Sequence, residues 1–237
     1  MAILKIIVNA DDLGRDAKTN ERIMDCFDRG LISSASVMVT TLGFEEVVRW
    51  YRTRDSKPRL GIHLDLDEGV PAADGFRSVY GESRLFWKHD LLWSDHRYLS
   101  VAQTELRAQI DRYVSAGMAL DHIDSHHHVH TYFPLARIVA PLAVEYRARR
   151  LRVSGNVLYP GSPHKRAYRF LVNRYLLHVH RATTVKYFSH LDRFCSERPA
   201  VPGEVIELMT HPGKDQDYDF LLSPTYTDFL KQYALMK

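Results

Sequence analysis

Two cysteines, Cys26 and Cys195, are all that the 237 residues hold. They cannot make a disulfide framework or a CxxC metal site. Cys26 lies in a helical pattern and reads as a small buried residue. No apolar run approaches the roughly 20 residues of a membrane span. The opening "MAILKIIVNADDLG" breaks into charge too soon for a cleavable signal. A cytoplasmic protein with no membrane partner is therefore expected. Surplus charge is missing too. Lys and Arg number 32 and Asp and Glu 29, leaving +3, which is too little to argue for nucleic acid. The basic stretches "YRARRLR" and "HKRAYRFLVNRY" read as solvated helix faces. No repeat and no break in composition divides the chain, so one domain over 1–237 is expected.

What is present alternates. "LKIIVN", "SASVMVT", "LGIHLDL", "LDHIDSH", "LRVS", "TTVKYFSHL" and "EVIELMTH" read as strands. Between them lie helical patterns. One runs from Asp16 to Arg29 and ends at Gly30. Others are "FEEVVRWY", "VAQTELRAQIDRYVSA" behind Ser100 and closed by Gly117, "FPLARIVAPLAVEYRAR", and about 164–180. Pro141 inside the fourth suggests a kink. "PTYTDFLKQYAL" reads as a last helix. The stretch 70–98 reads as a long irregular excursion. The fold expected is α/β, with a distorted or incomplete (β/α) barrel of about seven parallel strands. An open doubly wound sheet is the runner-up.

The polar residues collect where these strands end. Asn9, Asp11 and Asp12 close the first strand. His63, Asp65 and Asp67 share one side of the third. Asp124 leads into "DSHHHVH", with His126, His128 and His130. Arg152 follows the fifth strand and His211 the seventh. In a parallel barrel these ends meet at one face, the face that carries active sites. If the fourth strand persists, Asp124, His126 and His128 share a side, and one or two of the histidines reach the centre. Taken singly, each motif has a bland reading: "ADD" as a helix start, His63 as a core histidine, "THPG" as a turn. Four strand ends carrying imidazoles and carboxylates together point to a divalent ion and acid–base chemistry.

The motifs "VNADDLG", "GLISSASVMVT", "GIHLDL", "DHIDSHHHVH" and "ELMTHPG", in that order, resemble the YdjC-like carbohydrate deacetylase family, which includes the chitooligosaccharide deacetylases. The resemblance implies metal-dependent removal of an N-acetyl group from an amino sugar, giving acetate and a free amine. It implies one divalent ion, Mg2+ or Zn2+, held by Asp12, His63 and His126. It implies Asp11 as general base, His211 as general acid and Arg152 as the residue that orients the base. Asp124, His128, His130 and Asp65 would touch substrate or support the ligands. The substrate would be a small acetylated sugar, and family precedent favours a homodimer. After "GIHL" the text "DLDEG" departs from the family pattern. It adds Asp65, Asp67 and Glu68 near the mouth, which would disfavour acidic sugars. Another amide or ester substrate, or non-catalytic metal or sugar binding, are the alternatives.

Overall fold

A computed structural model describes residues 4–74, 96–181 and 185–236. Strand β1, Lys5–Leu13, lies inside the sheet. On one side it pairs with β2, Ser34–Val37, which leads to β3, Leu60–Leu64, β4, His122–Ser125, and β5, Arg150–Leu151. On its other side lie β7, Val205–Thr210, and then β6, Phe188–His190. All pairings are parallel. A short β8, Ala234–Leu235, also pairs with the start of β1. The α/β reading with seven parallel strands holds. The last two residues of the expected C-terminal helix instead form β8, because that helix stops at Leu230.

Eight helices are described: α1 Ala17–Asp28, α2 Phe44–Thr53, α3 His96–Ser115, α4 Phe133–Glu145, α5 Pro163–Val179, α6 Leu191–Glu197, α7 Asp215–Leu222 and α8 Pro224–Leu230. Asp16 caps α1 by accepting the Thr19 N–H, and Gly30 follows at φ +69, a conformation that suits glycine. Helix α3 begins at His96, so Ser100 lies within it and is not its cap. Pro141 stays inside a continuous α4. Most of the excursion expected over 70–98 falls outside the described residues. Helices α6 and α7 had no clear periodic signal, each being only about two turns long.

Two kinds of interior result from strand alternation. Ile6, Val8, Ala10, Ala35, Val37, Ile62, Ile123, Leu151, Ile206 and Leu208 face the helices in one continuous apolar core. Their neighbours Asn9, Asp11, Ser34, Ser36, His63, His122, Asp124, Arg150, Arg152 and Glu207 are just as buried. These point into the barrel and are joined by hydrogen bonds, as buried polar groups must be. Gly61 makes room for this layer. A Cβ there would sit 2.4 Å from the His122 ring.

Candidate active site

The ADD motif ends in an irregularity. The register with β2 shifts between Ala10 and Leu13, and Asp12 has φ +74. Adjacent residues of a regular strand face opposite ways. A bulge with a left-handed residue re-aims one of them. Asp11 and Asp12 are thereby both buried in the same site.

Arg152 occupies the centre of the barrel, fully buried. Its Nη1 donates to Asp11 Oδ2 and its Nη2 to Asp11 Oδ1, each at 2.7 Å. Nη2 also lies 2.7 Å from Asp124 Oδ2, and Nε donates to Glu207 Oε1 at 2.7 Å. Asn9 Nδ2 donates to Asp11 Oδ1 and to Ser36 Oγ. Ser36 donates to Asp124 Oδ2, so His122 Nε2 donates to Ser36, and His122 Nδ1 lies 3.0 Å from Arg150 Nη2 and 3.2 Å from Asp121 Oδ2. Burial acts to raise the Asp11 and Asp124 carboxyls, but Arg152 and His63 together outweigh it and both lie below their ordinary values. Both are therefore carboxylates at neutral pH.

Asp124 fixes the tautomer of His63. It can only accept, so His63 Nδ1 carries the proton across the 2.7 Å contact. That directs Nε2 at Asp12 Oδ1, 3.4 Å away. His126 Nδ1 faces the same oxygen at 3.1 Å, and its Nε2 lies 3.3 Å from Glu68 Oε1. The ligand atoms of Asp12, His63 and His126 all lie within 4.8 Å of one another. Burial acts to lower both imidazoles, yet the neighbouring carboxylates raise them. Asp11 and Asp124 share the buried Arg152 guanidinium with Glu207, and among the described residues the only guanidinium to reach Asp12 is that of Arg15, from the surface, at 3.6 Å. This pocket calls for more positive charge than its side chains supply. Two imidazoles and a carboxylate, buried and convergent, form a donor set that fits a divalent ion.

Two other groupings are geometrically close. Asp11, His63 and Asp124 form one, but Arg152 already neutralises that pair of carboxylates. Asp67, His126 and His127 form the other, at the surface.

The expected strand continuation through His128 does not occur. β4 ends at Ser125, and residues 126–131 form a 3-10 turn with His127 at φ 51 and His128 at φ 54. The two left-handed residues break the alternation and send the histidines to different places. His126 reaches Asp12. His127 reaches Asp67 at the rim. His128 is half-buried, edge-on against Phe188, with its Nδ1 lacking a hydrogen-bond partner among the described residues. His130 is buried below, between Ser125 Oγ and the Arg152 carbonyl.

His211 is half-buried at the end of β7, where Asp217 accepts its backbone N–H. Burial lowers its imidazole pKa, while Asp11 and Asp12 act the other way. Asp65 serves the loop. Its Oδ1 accepts the Asp67 and Glu68 N–H groups and its Oδ2 the Thr40 hydroxyl. Burial pushes its carboxyl up to about 7. Of the added acids, Glu68 pairs with Arg15 and His126, and Asp67 with His127.

Sequence reasoning passed over Ser36, His122 and Glu207. The first was visible as a serine alternating with Ala35 and Val37, the last as a lone charge in "VIELMT".

His130 gives the site a measurable acid sensitivity. Burial is the main cause that moves its imidazole from 6.5 to about 4; Asp124 opposes this and Arg152 adds to it. The unfolded chain takes up a proton near 6.5, while the folded one refuses it until about 4. Stability should therefore fall as pH drops through that window, by on the order of 3 kcal/mol in full. His130→Gln keeps one donor and one acceptor but does not titrate. Urea unfolding at pH 7 and pH 5 should show a flatter dependence for the variant. Identical slopes would remove His130 as the cause.

The sequence profile of the family described as "YdjC-like protein" matches residues 5–232. A carbohydrate deacetylase of Brevibacillus brevis is 35% identical over 217 residues, covering 89% of this chain and 82% of that one. A carbohydrate deacetylase of Vibrio parahaemolyticus is 29% identical over 224 residues, covering 89% and 78%. The crystal structure of a candidate cellobiose-phosphate cleavage protein of Enterococcus faecalis V583 superposes with a TM-score of 0.78, at 21% identity, over 100% of this chain and 98% of that one. It shares the fold.

Proposed function

The chain belongs to the YdjC-like protein family, and on that premise we propose that it is a metal-dependent carbohydrate deacetylase acting on an N-acetylated amino sugar or short chitooligosaccharide. The observation that carries this reading is the convergence of Asp12, His63 and His126 beside a separate carboxylate, Asp11, that Arg152 keeps ionised. Curated relatives named carbohydrate deacetylase, matched over most of their length, support the substrate class.

Asp12, His63 and His126 would hold the ion, which when bound polarises a carbonyl and lowers the pKa of water. The protein's own groups do the rest. Asp11 takes the proton of the attacking water. Its Oδ1 already accepts from both Arg152 and Asn9, but Oδ2 accepts from Arg152 alone and keeps a second lone pair. Arg152 aims that carboxylate and holds it charged. Asp124 holds His63 in the tautomer that leaves Nε2 free. His211, at the mouth, gives a proton to the departing amine nitrogen. Because burial lowers its pKa, it releases that proton readily. The acids of the "DLDEG" segment are largely engaged with Arg15, His126 and His127, so their effect on substrate charge is small.

Chelation tests the reading. Dialysis against EDTA should abolish acetate release from N-acetylglucosamine oligomers, and added Zn2+ or Mg2+ should restore it. Asp12→Asn should lower the bound metal measured by elemental analysis. Full turnover by metal-free protein would sink the mechanism. Metal retention without turnover of any acylated sugar would favour a binding protein instead.

A further inference from the structure

Helix α5 leaves a surface that the chemistry above does not use. Between Glu145 and Asp192 the chain has no Asp or Glu and ten Lys and Arg. Arg150 and Arg152 are spent inside the barrel. The others lie largely on and around α5. On the solvent side of that helix two large apolar side chains stand out: Phe170 is 61% exposed and Leu171 63%. Phe133, from the start of α4, and Tyr168 extend the patch and touch through a hydrogen bond from the Phe133 N–H to the Tyr168 hydroxyl. A solvated helix face has no use for a phenylalanine and a leucine in water among cations.

Beside this patch lies a cleft of about 310 Å³, lined by Arg166, Arg169, Arg174, Lys186, Tyr159 and Phe170 among others, with no carboxylate in its wall. Arg169 packs over the Tyr159 ring at 5.3 Å and Arg174 near Phe170 at 5.9 Å. None of these four cations makes an ion pair among the described residues. The cleft adjoins the site, since Tyr159 stacks on Phe188 and on His190, and Arg152 packs over the Phe188 ring at 4.9 Å.

We propose that α5 docks on an anionic phospholipid surface, with Phe170 and Leu171 entering the headgroup boundary and the arginines of the cleft taking lipid phosphates. Exposed apolar residues interleaved with unpaired cations suit a surface that offers both phosphates and hydrocarbon. No described helix is long and apolar enough to cross a membrane, so the contact is peripheral. A second copy of this chain is a poor occupant, because the same unpaired cations would face one another. Nucleic acid would satisfy the arginines but offers the two apolar side chains no hydrocarbon. Helix α5 follows the C-terminal end of β5, so docking sets the mouth of the site close to the bilayer.

The full chain should sediment with vesicles of phosphatidylcholine mixed with phosphatidylglycerol, and poorly with phosphatidylcholine alone. Phe170→Ser with Leu171→Ser should weaken binding about tenfold, and Arg166→Glu or Arg174→Glu by at least about fivefold for each cation lost. The Phe170 and Leu171 variant should keep its acetate release from a soluble oligosaccharide, which separates lost docking from lost fold. Absence of preference for the anionic vesicles overturns the proposal and leaves the deacetylase reading standing. So does binding unaffected by removal of Phe170 and Leu171, which would be adsorption by charge alone. Concentration-dependent dimerisation abolished by Leu171→Ser, without vesicle binding, would assign the face to a second copy instead.

Discussion

Arg152→Met should cost the fold about 3–5 kcal/mol at neutral pH, the range for breaking a buried ion pair from one side. The guanidinium donates to Asp11 and Glu207 and pairs with Asp124, all almost fully buried. Without it, three carboxylates remain inside the barrel, with only His63 beside Asp124 and a longer contact from Arg150 to Glu207. Arg152→Lys should recover only part of the loss, since an ammonium is a point charge and cannot reproduce the planar fork. The pH dependence gives a sharper test. In the native chain Asp11 and Asp124 titrate below their ordinary values. Their contribution is present above about pH 4 and fades as pH falls through the lowered values. In the methionine variant burial is opposed mainly by His63 and the same carboxyls titrate higher than in the native chain, so protonation relieves part of the penalty. The stability gap, measured by urea unfolding, should therefore narrow from pH 7 to pH 5. A gap below about 1 kcal/mol, the value expected of an exposed pair, or one constant with pH, would show that Arg152 is not the cation on which the interior depends.

His211→Ala and Asp11→Asn should fail in different ways. An amide nitrogen leaves only when protonated, whereas an aryl acetate has a leaving group that departs unaided. General acid help is worth about 10²–10⁴-fold. The His211 variant should lose roughly that factor on an N-acetyl sugar and far less on an aryl acetate, with its metal content unchanged. Asp11→Asn cannot accept the proton of water and should lose turnover on both substrates. It also leaves Arg152 with one carboxylate fewer, so its fold is to be checked by urea unfolding before its rate is read. Equal losses by the His211 variant on the two substrates would make it an oxyanion or positioning group.

The strand order and the polar strand ends were legible because alternation and parallel topology leave little freedom. Asn9, Asp11, His63 and Glu207 sit on strands and face the barrel as the period predicts, whereas Asp12 is re-aimed by a bulge and Asp65 and Asp67 lie beyond the end of β3 at Leu64. The histidine run was harder. Period two assigns His126 and His128 to one side, yet the chain leaves the strand at Ser125 and turns through two left-handed residues. Nothing in "HHHVH" marks that turn, because histidine is not a usual turn residue. Glu207 and His122 were hidden for another reason. Their partners, Arg152, Arg150 and Ser36, lie on other strands, and pairing across a barrel has no local pattern. The two short helices and β8 stay below the length at which periodicity speaks.

The seam where the barrel fails to close bears on solubility. A free strand edge is a template on which another chain can add. Here β5 has two residues and β6 three, and the gap is filled by Asn156 and Val157. Both backbone N–H groups donate to the Phe188 carbonyl, and the Asn156 side chain accepts the Phe188 N–H and donates to the Lys186 carbonyl. A single asparagine thus does for β6 what a neighbouring strand would do. Edge-to-edge growth into ribbons finds little backbone to pair with at this seam. Replacing Asn156 with a residue unable to pair in both directions would reopen it, and slow aggregation on storage, rather than lost chemistry, is where that change would first be felt.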